Sequence, residues 1–422
     1  MFQSIKFVIL AGLIAALPSI SGATGSGAGS NEPYNQNPKA QLGPRPFFLI
    51  EDMNPGPLKQ QLKSCAGKTF KKTDFSIGHR GAALQFPEHT RESYKAAAHM
   101  GAGIIECDVT FTQDLELVCR HAQNDLATST NILVTSLAST CIQAFSPAVI
   151  AVDGSLVKPA SAECRTSEIT LAEFKTLRGK MDGFNPRALT AQDFISGTPN
   201  FRTELYSGPS SGHLMTHKES IDLFKKMGRK MTPELKSPSV TMPFNGFTQQ
   251  AYAQKMIDEY KTAGVSPIDV FPQSFDIQDI LYWITNEPEF GEQAVYLDDA
   301  NTVAELPAFA DLVGYKQSGI NIWAPPFFAL LDLDSNNRII PSQAALDAKS
   351  AGLDIITWSL ERSGILADRN NGFYYQTIDS AISREGDVME VLDVLAREVD
   401  ILGIFSDWPA TVSYYANCMN LR

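Results

Sequence analysis

The sequence has no hydrophobic run long enough to cross a bilayer. Its apolar stretch near the start, residues 7–17, falls well short of the roughly 20 residues that a membrane-spanning helix needs. Residues 417–422 carry no apolar tail, so neither a C-terminal lipid-anchor signal nor a stable membrane anchor is expected. Positive charge is also scarce. Lys and Arg number 35 against 47 Asp and Glu, a net charge of -12 at pH 7, which argues against nucleic acid and anionic membrane surfaces as partners. The six cysteines show no CxxC or zinc-type spacing, and this disfavours a structural zinc site or a dithiol redox motif. No Gly-rich nucleotide fingerprint follows the first candidate strand, and no internal repeat stands out. A phosphate substrate survives these exclusions, because a bound divalent cation reverses the local field.

Lys6, the short apolar run and the small residues Ser21, Gly22 and Ala23 form the pattern of a secretory signal peptide over residues 1–23, with cleavage after Ala23. Export to a periplasm or to the extracellular space is therefore expected. There an even cysteine count is compatible with disulfides. Cys141 and Cys164 flank one loop-like segment and make the first candidate pair. Residues 24–69 begin with a stretch rich in Gly, Ser, Asn and Pro and are expected to be a flexible lead-in. Residues 70–422 are expected to form the folded domain.

Short β-branched runs recur at 75–78, 103–109, 229–234, 269–275, 293–297, 320–324, 354–359 and 401–406. Helical patterns separate most of them, at 89–100, 218–227, 247–263, 304–315, 343–351 and 378–398. This alternation predicts parallel strands with crossover helices, and eight strands point to a closed (β/α)8 TIM barrel. Residues 116–121 break the rhythm and read as a hairpin partner for the second strand. Residues 122–215 have little sustained period and are expected to be a subdomain inserted after that strand, with a short helix over 170–177.

Barrel active sites lie at the C-terminal ends of the strands, and the polar residues gather there. The first strand ends in His79-Arg80-Gly81, the second carries Glu106-Cys107-Asp108, the hairpin ends in His121, and the third ends in Glu234-Leu235-Lys236. Glu106 and Asp108, two apart on a strand, share a face. Two carboxylates so placed repel each other and are costly to desolvate, unless a cation sits between them. With Glu234 beside them, the oxygen-rich set suits one divalent cation, Ca²⁺ or Mg²⁺. The structural alternative pairs these acids with Arg80 or Lys236. His79 and His121 suit an acid/base pair, with transition-metal ligation as the rival. Arg80 has a planar fork that grips phosphate oxygens, and Lys236 is a point charge. His89, His99, His213 and His217 read as ordinary structural histidines.

The ordered set Gly78-His79-Arg80-Gly81-Ala82, Pro87-Glu88-His89-Thr90, Glu106-Cys107-Asp108-Val109-Thr110 and His121 resembles the signature of the glycerophosphodiester phosphodiesterases. The likeness continues through Pro233-Glu234-Leu235-Lys236, Gln273-Ser274-Phe275, Trp358 and residues 403–409. The resemblance implies a TIM barrel with an insertion after its second strand, hydrolysing glycerophosphodiesters to sn-glycerol 3-phosphate and an alcohol. By the same resemblance His79 and His121 look like the acid/base pair, while Glu106, Asp108 and Glu234 look like the metal ligands. Arg80 and Lys236 look like phosphate contacts, Trp358 packs on the organic part of the substrate, and Glu88 supports the site from behind. Many relatives place Asp directly after the second histidine. Here Ala122 follows and the next acid is Asp125, so an acid that orients His121 would have to be Asp125. Two rival functions fit the same barrel. A phospholipase-D-like or phosphoinositide-cleaving enzyme would use Phe145, Val149, Ile150 and Val152 as an apolar rim for acyl chains. A non-catalytic extracytoplasmic binding protein would keep the barrel without the reaction.

Overall fold

Among the described residues, eight parallel strands close on themselves, each joined to the next by a crossover. They are β1 (Thr73–Gly78), β2 (Ala102–Phe111), β4 (Lys230–Leu235), β5 (Gln273–Ser274), β6 (Val295–Leu297), β7 (Ile322–Ala324), β8 (Asp354–Leu360) and β9 (Gly403–Ser406), and β3 (Leu117–Cys119) is an antiparallel addition to β2. Closure comes from β1, which pairs with both β2 and β9. The computed structural model describes residues 39–421 apart from positions 204, 207, 209 and 370. The signal segment expected at 1–23 lies outside the described residues. No described helix is long and apolar enough to cross a membrane.

The barrel interior is filled from its lower end by Ile77, Ile104, Val295, Ile322, Ile356 and Phe405. Ile104 sets the phase of β2. Residues two apart share a face, so Glu106 and Asp108 follow Ile104 up the interior toward the mouth. The register then places Asp108 beside Glu234 on β4, and Glu234 beside Gln273 on β5. A row of polar side chains across three strands is thus fixed by backbone pairing alone.

Between β3 and β4 a separate cluster of buried residues gathers around Leu126, Ile132, Phe174 and Phe194, with Val118 of β3 packed into it. Two short hairpins shape it, Gln143–Ser146 with Ser161–Glu163 and Val149–Ile150 with Leu156–Lys158. The helix expected over 170–177 is a single turn, Leu171–Phe174, started by a capping box between Thr170 and Glu173. The six cysteines form three disulfides: Cys141–Cys164 inside the insertion, Cys107–Cys119 between β2 and β3, and Cys65–Cys418.

Three expectations need correction. The 24–69 stretch was expected to be flexible, yet it contains the helices α1 (Arg45–Asp52) and α2 (Pro57–Ser64). Leu49, Ile50 and Leu62 are buried there, and Cys65 is tied to the C-terminal helix Pro409–Met419. The Gly- and Pro-rich composition of the first half masked an amphipathic second half. The 378–398 pattern is α-helical only over Val388–Val394, with 3-10 turns at Asp379–Ala381 and Glu385–Asp387 ahead of it. Before it, the Asp387 carboxylate accepts the Ser383 and Arg384 N–H groups at 2.7 and 3.1 Å and holds a turn. Gly386 lies so close to the end of α1 that a Cβ would fall 2.7 Å from the Leu49 carbonyl. Finally, the helix Ile277–Asn286 had no counterpart among the expected helices.

Candidate active site

The chain leaves β1 through a sharp turn. Arg80 and Gly81 have φ of 54° and 94°, and a side chain on Gly81 would collide with Ser93, so glycine is required there. The turn directs the Arg80 N–H to Glu106 Oε2 at 2.9 Å and leaves the His79 ring buried at the mouth. His79 Nδ1 lies 2.6 Å from Asp407 Oδ1 and 3.1 Å from Ser359 Oγ, and Nε2 lies 3.9 Å from Glu106 Oε2. Burial and the neighbouring Arg80 push the His79 imidazole down to about 4, against the pull of Asp407.

His121 follows β3. The Arg120 N–H donates to the Asp108 carbonyl at 2.8 Å, which extends the hairpin ladder, and the Cys107–Cys119 disulfide links the same two strands. His121 therefore arrives at the mouth beside the E-x-D pair. Burial, Arg80 and Lys236 push its imidazole well below the usual range. Asp125 does not orient it. Both Asp125 oxygens face the Arg120 guanidinium at 3.3–3.4 Å.

Glu106, Asp108 and Glu234 are buried, and each offers an oxygen within 4.8 Å of the others. Gln273 Nε2 donates to Glu106 Oε1 at 2.9 Å. Glu106 is pushed well above the usual carboxylate range by burial and by Asp108 and Glu234. Glu234 is pushed up to about 7 by burial and Asp108, against its ion pair with Lys236. Burial also opposes the Asp108 charge, but His89, Lys236 and Arg80 outweigh it and hold that carboxyl below its ordinary value. Asp108 Oδ2 accepts from His89 Nε2 at 2.9 Å, while Oδ1 is buried without a hydrogen-bond partner. Three crowded carboxylates with an orphaned oxygen among them fit a hard divalent cation. A second acidic group, Glu88 with His121 and Asp125, also lies within metal-binding distance. Its charges are already answered, since Glu88 pairs with Arg80, Arg120 and Arg362 and Asp125 pairs with Arg120.

His79, His121, Glu106 and Glu234 line one side of a cavity of about 280 Å³ together with Arg80 and Lys236. Phe275, Leu297, Trp358, Tyr374 and Phe405 line the other. The Trp358 indole N–H donates to the Ala324 carbonyl at 3.0 Å, and its ring meets Phe275 edge-on. A roomier cavity of about 590 Å³, lined by Ser266, Glu289, Asn321 and Asp354 among others, lies at the opposite end of the strands, away from these residues.

The expected site residues His79, Arg80, Glu106, His121, Glu234, Lys236 and Trp358 all line this cavity. Asp108 sits directly behind it, and Glu88 grips Arg80 Nη1 at 2.9 Å. Sequence reasoning passed over His89, set aside as structural although it hydrogen-bonds Asp108. It also gave no role to Gln273 or Asp407, which stood inside segments already noticed. Arg362 and Tyr374 carried no sequence signal. His213 and His217 are structural, paired with Glu92 and Glu259 at 2.7 and 2.8 Å.

A protein of Arthroderma benhamiae named "Extracellular protein" is 50% identical over 246 residues, 57% of this chain and 100% of the relative. A crystal structure from Silicibacter pomeroyi DSS-3, assigned as a glycerophosphoryl diester phosphodiesterase, superposes with a TM-score of 0.53 at 19% identity, covering 86% of this chain and 98% of that one. An Oleispira antarctica phosphodiesterase solved with the product sn-glycerol-3-phosphate gives a TM-score of 0.47 at 16% identity, with 81% and 96% covered. The sequence profile of the Glycerophosphoryl diester phosphodiesterase family matches residues 79–411, from the first site histidine to the helix after β9, and the chain belongs to that family.

Proposed function

We propose that this chain is an exported, metal-dependent phosphodiesterase that cleaves glycerophosphodiesters to sn-glycerol 3-phosphate and an alcohol. The observation that carries the reading is the meeting of two histidines, three carboxylates, Arg80 and Lys236 around one cavity. None of the residues the reaction needs is missing, which speaks against a non-catalytic binding protein. The cavity, about 280 Å³, is at the small end for ligand sites, roughly 300–1,000 Å³. It suits a deacylated diester better than a lipid carrying two chains.

The reaction follows from the side chains present. The free hydroxyl of the glycerol moiety beside the diester attacks phosphorus, and one histidine accepts its proton. The new P–O bond closes a cyclic phosphate as the bond to the alcohol breaks, and the other histidine protonates the leaving oxygen. Proximity favours the internal attack. Water then opens the ring with the histidine roles exchanged. Arg80 and Lys236 neutralise charge growing on the phosphoryl oxygens. Glu106, Asp108 and Glu234 would hold a divalent cation, which supplies further charge neutralisation when bound. Phe275, Trp358 and Tyr374 hold the organic part and exclude water from it.

Glycerol 3-phosphate release from glycerophosphocholine is expected to stop in chelator and to return when Ca²⁺ or Mg²⁺ is added back. Release that is indifferent to chelator would remove the metal from the reading. No release with either cation would remove the substrate class.

Export is supported by the leader pattern, by the three disulfides and by the name of the Arthroderma relative. The N-terminus of the secreted protein, sequenced from culture medium, should begin after Ala23. One observation favours the intact-lipid alternative. On the insertion, Val149, Val152, Leu156 and Val157 are exposed, although Phe145 and Ile150 pack inward against its core. The wild-type chain should release no phosphate ester or head group from phosphatidylcholine vesicles at the enzyme concentration that consumes glycerophosphocholine. Comparable rates would restore the intact-lipid substrate.

A further inference from the structure

Arg362 lies in the loop after β8, does not line the cavity, and is nearly buried. Its guanidinium fork reaches three acids, Asp182 at 3.7 Å and two that serve different parts of the site. Nη1 donates to Asp407 Oδ2 at 2.7 Å, and Nη2 donates to Glu88 Oε2 at 3.3 Å. Asp407 meets His79 Nδ1 through its other oxygen at 2.6 Å. The same Glu88 oxygen accepts from Arg80 Nη1 at 2.9 Å. One planar cation therefore joins the partner of a catalytic histidine to the partner of the phosphate-binding arginine.

The consequence for His79 follows from donor and acceptor chemistry. An ionised carboxylate only accepts, so the ring nitrogen facing it carries the proton. Asp407 is fully buried, and a buried carboxylate stays ionised only with compensation, which Arg362 gives at close range. Nδ1 then holds the proton, and the Nε2 lone pair stands on the cavity side, 3.4 Å from Ser359 Oγ and 3.9 Å from Glu106 Oε2. A neutral imidazole so oriented can take a proton but has none to give at that nitrogen.

We propose that Asp407 and Arg362 are positioning residues: together they fix His79 in the Nδ1–H tautomer, the form in which it serves as the base of the first step. This rests on the two-histidine reaction proposed above. It also assigns Arg362 a second task, since through Glu88 it holds Arg80 in register with the base. A lysine offers a point charge and cannot span both acids with a planar fork.

The test compares two substrates in the metal-loaded enzyme: glycerophosphocholine, whose leaving alcohol needs a proton, and a glycerophospho-p-nitrophenyl ester, whose leaving group does not. His121→Ala should lose turnover on the choline ester but still give a rapid first-turnover burst of nitrophenol from the nitrophenyl ester, since only ring opening then needs His121. Asp407→Asn should lose kcat by roughly 10²- to 10⁴-fold on both esters, as expected when a histidine is left in the wrong tautomer, with KM changed by no more than about twofold. Arg362→Lys should lower kcat at least about tenfold on both. Recovery of Asp407→Asn on the nitrophenyl ester would make His79 the acid and overturn the assignment. Wild-type kcat in Arg362→Lys would overturn the role of the fork. Should the variants not fold, ¹⁵N-histidine spectra of the wild-type enzyme decide alone, with His79 identified by its loss in His79→Gln. A proton on Nδ1 supports the proposal, and a proton on Nε2 rejects it. If the wild-type chain turns over neither ester, the proposed function fails, while the tautomer measurement still stands.

Discussion

Replacing His79 or His121 by alanine is expected to lower glycerophosphodiester turnover by roughly 10²- to 10⁴-fold, the span that a positioned acid or base contributes. In both variants the fold should be retained. His79 is buried against Asp407, but Asp407 keeps its ion pair with Arg362 when the imidazole is removed. His121 stands on a hairpin held independently by the Cys107–Cys119 disulfide and by the Arg120 bond to the Asp108 carbonyl. Circular dichroism and thermal melts beside the kinetics separate lost chemistry from lost structure. Either variant retaining most of its activity would remove that histidine from the reaction. His79→Ala should also change the acid limb of stability. In the folded chain this imidazole is pushed down to about 4 by burial and Arg80, whereas an unfolded one titrates near ~6.5. Between those values the unfolded chain binds the extra proton, so stability falls as pH drops from about 6.5 to about 4. Urea midpoints at pH 7 and pH 5, in chelator, should differ more for wild type than for His79→Ala.

Most of the barrel was legible because its signals are local. Each of the eight apolar runs contains or overlaps an observed strand, since a buried parallel strand leaves a continuous β-branched run in the sequence. The E-x-D pair was legible for the same kind of reason: a two-residue period on a strand fixes a shared face without any knowledge of the rest. The insertion showed itself by the loss of that period. What escaped was long-range. Asp407 meets His79 across 328 residues of chain and Arg362 meets Glu88 across 274. No periodicity links such pairs, because barrel closure alone brings β1 beside β9. His89 was misjudged by a rule that is sound on average. A histidine in a turn is usually structural, but the Nε2 of this one reaches Asp108 on β2 at 2.9 Å. Arg45, in the stretch expected to be flexible, shows a similar reach. Its Nε donates to Glu361 at 2.8 Å, and so the N-terminal helix pins the residue next to Arg362.

The metal reading makes a prediction in which stability and activity move in opposite directions. Glu106→Gln should abolish most turnover, by about 10³-fold or more if the carboxylate holds the cation, yet it should stabilise the metal-free chain. Glu106 is pushed well above the usual carboxylate range by burial and by the nearby Asp108 and Glu234, so it opposes folding wherever all three acids are charged. An amide of the same shape removes that repulsion. Its oxygen still accepts the Arg80 N–H now held by Oε2 at 2.9 Å. Its nitrogen would face the Gln273 amide, which at present donates to Glu106 and leaves its own oxygen buried without a partner. A flip of the Gln273 amide turns that oxygen toward the new donor and puts its nitrogen where a partnerless oxygen now sits, so one polar atom is unpartnered before and after the exchange. In chelator the melting temperature of Glu106→Gln is therefore expected to exceed that of wild type by a few degrees, on the order of 2–5 °C. In saturating Ca²⁺ or Mg²⁺ the order should reverse, because wild type gains binding free energy that the variant has lost. A variant less stable than wild type in both conditions would mean that the three carboxylates are held together by Arg80 and Lys236 alone. The crossing of the two melting curves would show that they are arranged for a cation.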